Sequence, residues 1–306
     1  MTIKIFKPTH KLINKNGAVL WLPANVVGGR AQMGEPDLYT ESSNQLYPLG
    51  AKLEFADGRV FRYCKHGATI TIDATAGPAL LLVNANAAPG ATGYAGTDGF
   101  EGNLYAAAVV GQEYVDLWTI IAAAGTGYRT TVFAENFFED GMLATYPTSH
   151  LCEYRICGSE ITTTPYTRVY LDAPLKTALT VGTAGAYISS GTTMVGSSGG
   201  TGVTAYPSIY SQVKAEDAEG TTFTSAVGVS LTNAYTVNYF GWIQRRGRCI
   251  ITPNPYFGDD ANEREAYMIP GGGMTLKAAD GTQRIGYLTQ RTVSGYGDLE
   301  IWLTLE

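Results

Sequence analysis

The chain alternates apolar and polar residues in short stretches that are separated by turns rich in Gly, Asp and Pro. Residues 49–55 alternate in this way, residues 60–64 do so again, and Asp57-Gly58 lies between them. Asp and Gly tolerate the backbone angles of a tight turn, so residues 49–64 are predicted to form a β-hairpin. Similar short apolar runs follow along the chain, and none shows the spacing of a long helix.

The last stretch of the chain has the clearest two-sided pattern. Its one face carries Leu299, Ile301, Leu303 and Leu305, while Trp302 lies with polar residues on the other. Four apolar side chains on one face need cover from the protein interior, so this stretch is predicted to be a paired closing strand.

Residues 239–251 hold the densest mixture of aromatic, β-branched and cationic side chains. Gly241 and Gly247 lie within it, and glycine accepts backbone angles that other residues avoid. We therefore expect a strand, a tight bend and a return. The apolar residues would be anchors and the arginines would form ion pairs with another subunit or remain solvated, which gives the candidate interface residues Tyr239, Phe240, Trp242, Arg245, Arg246 and Arg248.

These patterns predict a mainly β protein with several modules of β-barrel or β-sandwich type and an extended N-terminal arm. The expected divisions are an arm at 1–44, a small β module at 45–95, a β domain at 96–200 and a C-terminal β domain at 201–306. A stretch rich in Gly, Ser and Thr at 182–202 is predicted to be a flexible loop.

Composition suggests broad surfaces that contact other proteins. Charged residues make up 16% of the chain, against roughly 25% in soluble domains, and 20 Tyr accompany 10 Phe. Interfaces are enriched in Tyr and depleted in charge, although many β proteins share this composition.

The N-terminal 34 residues carry only positive charge, and the rest of the chain holds a formal −11. Pro and Gly interrupt this segment, so we expect an arm that docks on a neighbouring chain. The alternative is that residues 18–22 add an edge strand to the protein's own domain. The candidate arm contacts are Lys4, Lys7, Lys11, Lys15 and Trp21.

The sequence offers no recognisable catalytic chemistry. Its three His and its scattered Cys64, Cys152, Cys157 and Cys249 match neither a hydrolase triad nor a zinc site. We expect no enzyme activity, no cofactor and no metal. The net charge of −6 argues against nucleic acid, and no apolar run is long enough for a membrane span. The first residues do not resemble a signal peptide, which predicts synthesis in the cytoplasm with reduced, mostly buried thiols.

Several segments resemble a group of tailed-bacteriophage virion proteins, namely residues 49–63, 138–143, 154–156, 172–175 and 239–247. The resemblance implies a structural protein that decorates or cements the capsid. It implies a location on the capsid surface after synthesis in the host cytoplasm. The implied partners are copies of the chain itself, as a homotrimer, and the major capsid protein.

Two other functions remain open at this point. A carbohydrate-binding or depolymerising tail spike would use the aromatic residues on sugars and carboxylates such as Glu139 and Asp140 in catalysis. The second alternative is that the chain is the major capsid protein itself. That fold would need a long spine helix, and the sequence does not show one.

Overall fold

The structure is a computed structural model. It describes residues 10–13, 17–22, 36–71, 81–84, 99–118, 133–146, 151–163, 165–181, 200–215, 225–232, 234–251, 264–268, 274–276, 283–290 and 299–306. Within these ranges the structure contains strands and no helix, which confirms the mainly β prediction.

The strands are short, as expected for a chain with frequent turns. In chain order they are β1 (His10–Ile13), β2 (Val19–Leu22), β3 (Lys52–Glu54), β4 (Val60–Lys65), β5 (Ile70–Thr71), β6 (Leu81–Asn84), β7 (Phe100–Asn103), β8 (Tyr114–Leu117), β9 (Met142–Tyr146), β10 (Cys152–Ser159), β11 (Thr167–Leu171), β12 (Gly202–Tyr206), β13 (Val213–Ala215), β14 (Ala226–Val229), β15 (Ala234–Tyr235), β16 (Phe240–Ile251), β17 (Glu265–Met268), β18 (Met274–Thr275), β19 (Arg284–Gln290) and β20 (Leu299–Thr304).

The chain divides into two compact units, and the second is inserted within the sequence of the first. Unit 1 comprises Met1–Ala88 and Ile209–Glu306, and unit 2 comprises Pro89–Ser208. The sequence had suggested boundaries at 44, 95 and 200. The grouping differs because β4 pairs with β16, which joins residues far apart in the chain into one sheet.

Unit 1 is organised around a twelve-stranded sheet. Its main path runs β1-β2-β3-β4-β16-β20-β19-β17-β18. Beside this path β14 pairs with β16, β6 pairs with β14, and β13 pairs with β6. Three groups of buried apolar residues pack in this unit. The largest lies under β16, β17, β19 and β20 and includes Ile251, Ile285, Ile301 and Leu303.

Unit 2 is a six-stranded sheet in the order β7-β12-β9-β10-β11-β8. Two backbone hydrogen bonds connect the segments at β7 and β8, the first and last strands of this order. The Trp118 N–H donates to the Asn103 carbonyl, and the Tyr105 N–H donates to the Asp116 carbonyl, so the two ends of the sheet meet. The sheet is therefore nearly closed into a barrel, whose interior includes Leu117, Phe138, Leu143, Ile156 and Val169.

The two strongest sequence patterns are confirmed. Strands β3 and β4 form the predicted hairpin, with Leu53 opposite Phe61 and Gly58 at a φ of 87° in the turn. In β20 the Ile301 and Leu303 side chains are buried, while Trp302 lies on the opposite face.

The predicted bend within residues 239–251 is wrong. Phe240–Ile251 form one continuous strand, β16, which pairs with β4 through its first half and with β20 through its second. Gly247 has a φ of 92°, and a Cβ there would lie 2.8 Å from the Arg59 Cα. The glycine thus lets two backbones approach closely at an irregularity in the strand and does not make a turn.

The N-terminal segment also needs a correction where it is described. Strand β2 pairs with β3, and the Ala18 and Leu20 side chains are buried in the core of unit 1. For residues 18–22 the alternative of an added strand therefore holds, because the Ala18 and Leu20 side chains are covered by the protein's own core. Residues 1–9, 14–16 and 23–35 lie outside the described residues.

Candidate interaction surfaces

The aromatic residues at the start of β16 belong mainly to the core of unit 1. Trp242 is 2% exposed, and its ring centroid lies 5.3 Å from that of Tyr47 and 5.2 Å from that of Tyr63. Phe240 is half-buried and stacks on Tyr63, whereas the preceding Tyr239 is exposed. Of the three aromatic candidates on this stretch, Tyr239 is therefore the exposed one.

The arginines of β16 have different surroundings. Arg245 is half-buried, donates to the Tyr210 hydroxyl at 2.7 Å and also donates to the Leu305 carbonyl. Arg246 is half-buried. Arg248 is exposed and its guanidinium lies 2.5 Å from a Glu300 carboxylate oxygen of the same chain, which lowers the pKa of Glu300. Arg245 and Arg248 thus have polar partners within the chain, and whether either also contacts another subunit stays a prediction.

The exposed face around Arg248 contains residues that the sequence did not bring together. The register places Arg248 opposite Trp302, Trp302 opposite Tyr287, and Tyr287 opposite Glu265. Residues directly opposite one another in antiparallel strands share a face, so these four side chains form one cross-strand row. The side chains of Arg248 and Glu265 are 64% and 50% exposed, and Tyr287 as a whole residue is 41% exposed. Trp302 is half-buried and lies over Gly58.

A second group of residues that the sequence pattern did not indicate surrounds His66. The imidazole is fully buried, its ring centroid lies 4.1 Å from that of Tyr235, and a Cβ on Gly241 would lie 3.2 Å from Nε2. Neither ring nitrogen has a hydrogen-bond partner among the described residues, and the Glu41 carboxylate is 3.5 Å from Nε2. Burial lowers the pKa of His66 to about 4 and raises that of Glu41.

The backbone around His66 links several segments of unit 1. Its N–H donates to the Tyr239 carbonyl, and its own carbonyl accepts from the Asn238 N–H. The Thr236 N–H donates to the Glu41 carboxylate. A charge on this imidazole would therefore be placed where β4 meets the turn before β16, without water to solvate it.

The stability of the protein is expected to fall as pH decreases from about 6.5 to about 4. The unfolded imidazole takes up a proton near pH 6.5, whereas the folded one does so near pH 4, so the stabilisation present above pH 6.5 is lost across this window. The difference corresponds to roughly 3 kcal/mol. Urea unfolding at a series of pH values measures it.

His66→Gln provides the comparison, because the variant retains a polar side chain and has no proton to gain there. The effect of Glu41 has the opposite sign, since a raised carboxyl pKa favours the folded state as pH falls. The difference between wild type and His66→Gln therefore measures the protonation of His66 together with its interaction with the Glu41 carboxylate 3.5 Å away. Parallel stability profiles for the two proteins between pH 4 and 6.5 would contradict the assignment.

Unit 2 carries an aromatic surface formed by residues of β8 and β11 and by neighbouring residues just outside the strands. The rings of Tyr105 and Tyr166 stack at 5.0 Å, and Trp118 meets Tyr105 edge-on at 5.6 Å. The Arg168 guanidinium lies 4.3 Å above the Tyr114 ring and binds Asp116 through two hydrogen bonds of 2.7 and 3.0 Å. We call these residues the barrel aromatic face.

Of the two carboxylates considered for sugar chemistry, Asp140 lies in a turn beside a cationic side chain. Asp140 has a φ of 61° in a turn and lies 2.5 Å from the Arg155 guanidinium. Adjacent residues in such a turn serve its geometry, and Asp140 already has a cationic partner.

The remaining sequence candidates fall in two groups. Trp21 and Lys11 belong to the paired strands β2 and β1, and Lys4, Lys7 and Lys15 lie outside the described residues. The contact expected of the N-terminal cations therefore stays a prediction. The loop at 182–199 is likewise outside the described residues.

No disulfide joins any of the four cysteines, all of which lie within the described residues. Cys64 and Cys249 are buried, and burial raises the pKa of both, to about 12 for Cys249. Cys152 is half-buried and Cys157 is exposed. The expectation of buried thiols thus fits two of the four positions.

Within the described ranges, no three His, Cys, Asp or Glu side chains gather in a way that could hold a metal ion. The same part of the chain has no helix with the length and apolar character needed to cross a membrane. No protein-family model, no curated protein and no solved structure matches the chain.

Proposed function

We propose that this chain is a structural protein of a tailed-bacteriophage virion that decorates or cements the capsid through protein–protein contacts. Its partners would be copies of itself and the major capsid protein, and its place would be the outer capsid surface. The homotrimer expected from the sequence is part of the same proposal. The resemblance of the β-rich segments to virion proteins suggested this function.

The cross-strand row is the observation that supports contact with other proteins. Tyr287 and Trp302 lie side by side on the outer face of a sheet whose inner face already covers the core. Ile250 is exposed on β16 of the same sheet, on the same face as Arg248 two residues earlier. Aromatic residues flanked by charges are typical of the centre and rim of protein interfaces.

The direct test uses phage particles from which the gene for this chain has been deleted. Purified wild-type chain is added to these particles, and the bound amount is measured by sedimentation. We expect saturable binding, because a decoration protein has a fixed number of capsid sites. Particles that already carry their own copies are the control and should bind little added protein. Equal binding to both kinds of particle, or none to either, would contradict the proposal.

The barrel aromatic face favours a second candidate function, the binding of carbohydrate. Tyr105 is 40% exposed beside the half-buried Tyr166, and the Asp116–Arg168 pair supplies polar groups next to the rings. The Trp118 indole N–H is buried without a hydrogen-bond partner among the described residues. An exposed ring with polar neighbours suits the apolar and hydroxyl faces of a sugar.

A panel of immobilised oligosaccharides separates this candidate from the first. Binding that Tyr105→Ala removes and Tyr39→Ala leaves intact would support a glycan site, since Tyr39 is also exposed but lies in unit 1. Absence of binding to the whole panel would count against the second candidate and would leave the first unaffected.

A further inference from the structure

The cross-strand row has an order of side chains that is complementary to itself. Across β16, β20, β19 and β17 it runs cationic, aromatic, aromatic, anionic, as Arg248, Trp302, Tyr287 and Glu265. We propose that this row binds the same row of a second copy of the chain, with Arg248 facing the partner's Glu265 and Trp302 facing the partner's Tyr287.

Symmetry decides how two such rows can meet. A two-fold axis along the strands reverses the row, so opposite charges face each other and the two aromatic positions coincide. A two-fold axis along the row would place Arg248 against its own copy and Glu265 against its own copy. Like charges in contact cost free energy, so the charge order favours the axis along the strands.

The dimensions and the charge of the face fit this contact. Four neighbouring strands span about 14 Å, and sheets that pack face to face keep their strand directions nearly aligned. The axis along the strands produces that alignment. The charges of the row form two ion pairs, Arg248 with Glu300 and Glu265 with Arg284, which balance within each copy.

The internal ion pairs leave room for contacts with a partner. Arg248 remains 64% exposed while bound to Glu300, and Glu265 remains 50% exposed while 3.1 Å from Arg284. A guanidinium has five N–H donors, so Arg248 can bind a second group. The Glu265 carboxylate also accepts from the Tyr267 hydroxyl, and its two oxygens have lone pairs for a further donor. Trp302 is already held over Gly58, and a ring that is fixed before binding loses less entropy.

This contact is isologous, so it joins copies in pairs, whether those copies are single chains or members of a trimer. The inference deepens the proposed function and rests on it in one respect, namely that the exposed face contacts protein. A chain that pairs but does not bind particles would overturn the proposed function alone, and a chain that binds particles without pairing would overturn this inference alone.

Charge exchange tests the predicted pairing directly. The mass of the full-length protein in solution is measured by sedimentation equilibrium over a range of concentrations for wild type, Arg248→Glu, Glu265→Arg and the double variant. We expect each single variant to have half the wild-type mass and the double variant to recover it. Lys176→Glu changes an exposed charge in unit 2 and should retain the wild-type mass.

Thermal unfolding of each variant tests whether the chain remains folded. Wild-type protein that does not pair at any concentration would overturn the inference. Single variants that pair as wild type does, or a double variant that fails to recover pairing while remaining folded, would overturn it as well.

Discussion

Replacement of Trp242 with alanine is expected to lower the free energy of unfolding by about 3–5 kcal/mol, which is usual for truncation of a buried aromatic side chain. Trp242 is 2% exposed and contacts Tyr47 and Tyr63 on different segments of unit 1. Its removal leaves a cavity where β16 packs against the β3–β4 hairpin, and neighbouring rings cannot fill that volume without moving the backbone. Urea unfolding followed by circular dichroism measures the loss.

Tyr239→Ala is the matched control, because this aromatic residue lies three positions earlier and its side chain is exposed. A change within about 0.5 kcal/mol is expected there. If Trp242→Ala unfolded at the same urea concentration as wild type, Trp242 would not be part of the core.

Gly286→Ala is expected to destabilise unit 1 by about 3 kcal/mol, at the upper end of the usual cost of overpacking. A Cβ at this position would lie 2.2 Å from the Trp302 carbonyl oxygen. Gly286 is also flanked on both sides, by Leu303 in β20 and by Ala266 in β17. The added methyl group must therefore push apart strands that are hydrogen-bonded to each other. Thermal unfolding should show a lower melting temperature than that of the wild type.

Gly202→Ala tests whether the effect comes from this close approach or from glycine in a strand generally. Gly202 lies in β12 of unit 2, and its added Cβ would meet the Tyr146 side chain at 3.8 Å, an ordinary contact. This substitution should be neutral or stabilise the protein by about 0.4–1 kcal/mol, since alanine restricts the unfolded chain. A similar loss of stability in both variants would argue against the backbone explanation for Gly286.

The sequence predicted elements where pattern and turn chemistry were local. Asp57-Gly58 between two alternating runs was sufficient for the β3–β4 hairpin, and the Leu and Ile spacing was sufficient for the two faces of β20. Gly247 was misinterpreted because a glycine at positive φ serves a bulge as well as a turn, and only the pairing partner distinguishes them.

The candidate surfaces required the tertiary structure. Arg248 and Trp302 were recognised separately, but the cross-strand row depends on the registers of four strands within residues 240–304. The position of His66 beside Glu41 and Tyr235 likewise depends on long-range packing that no local spacing indicates. Charge and composition suggested an interaction protein without showing which face interacts.

Electron cryo-microscopy of purified particles of the phage that encodes this chain tests the central claim most directly. The account predicts repeated density on the outer capsid surface into which both β units fit, in contact with the major capsid protein. Particles of the deletion mutant should lack this density. Density for the chain at the tail, or capsids with the same outer surface in the presence and absence of the gene, would contradict the account.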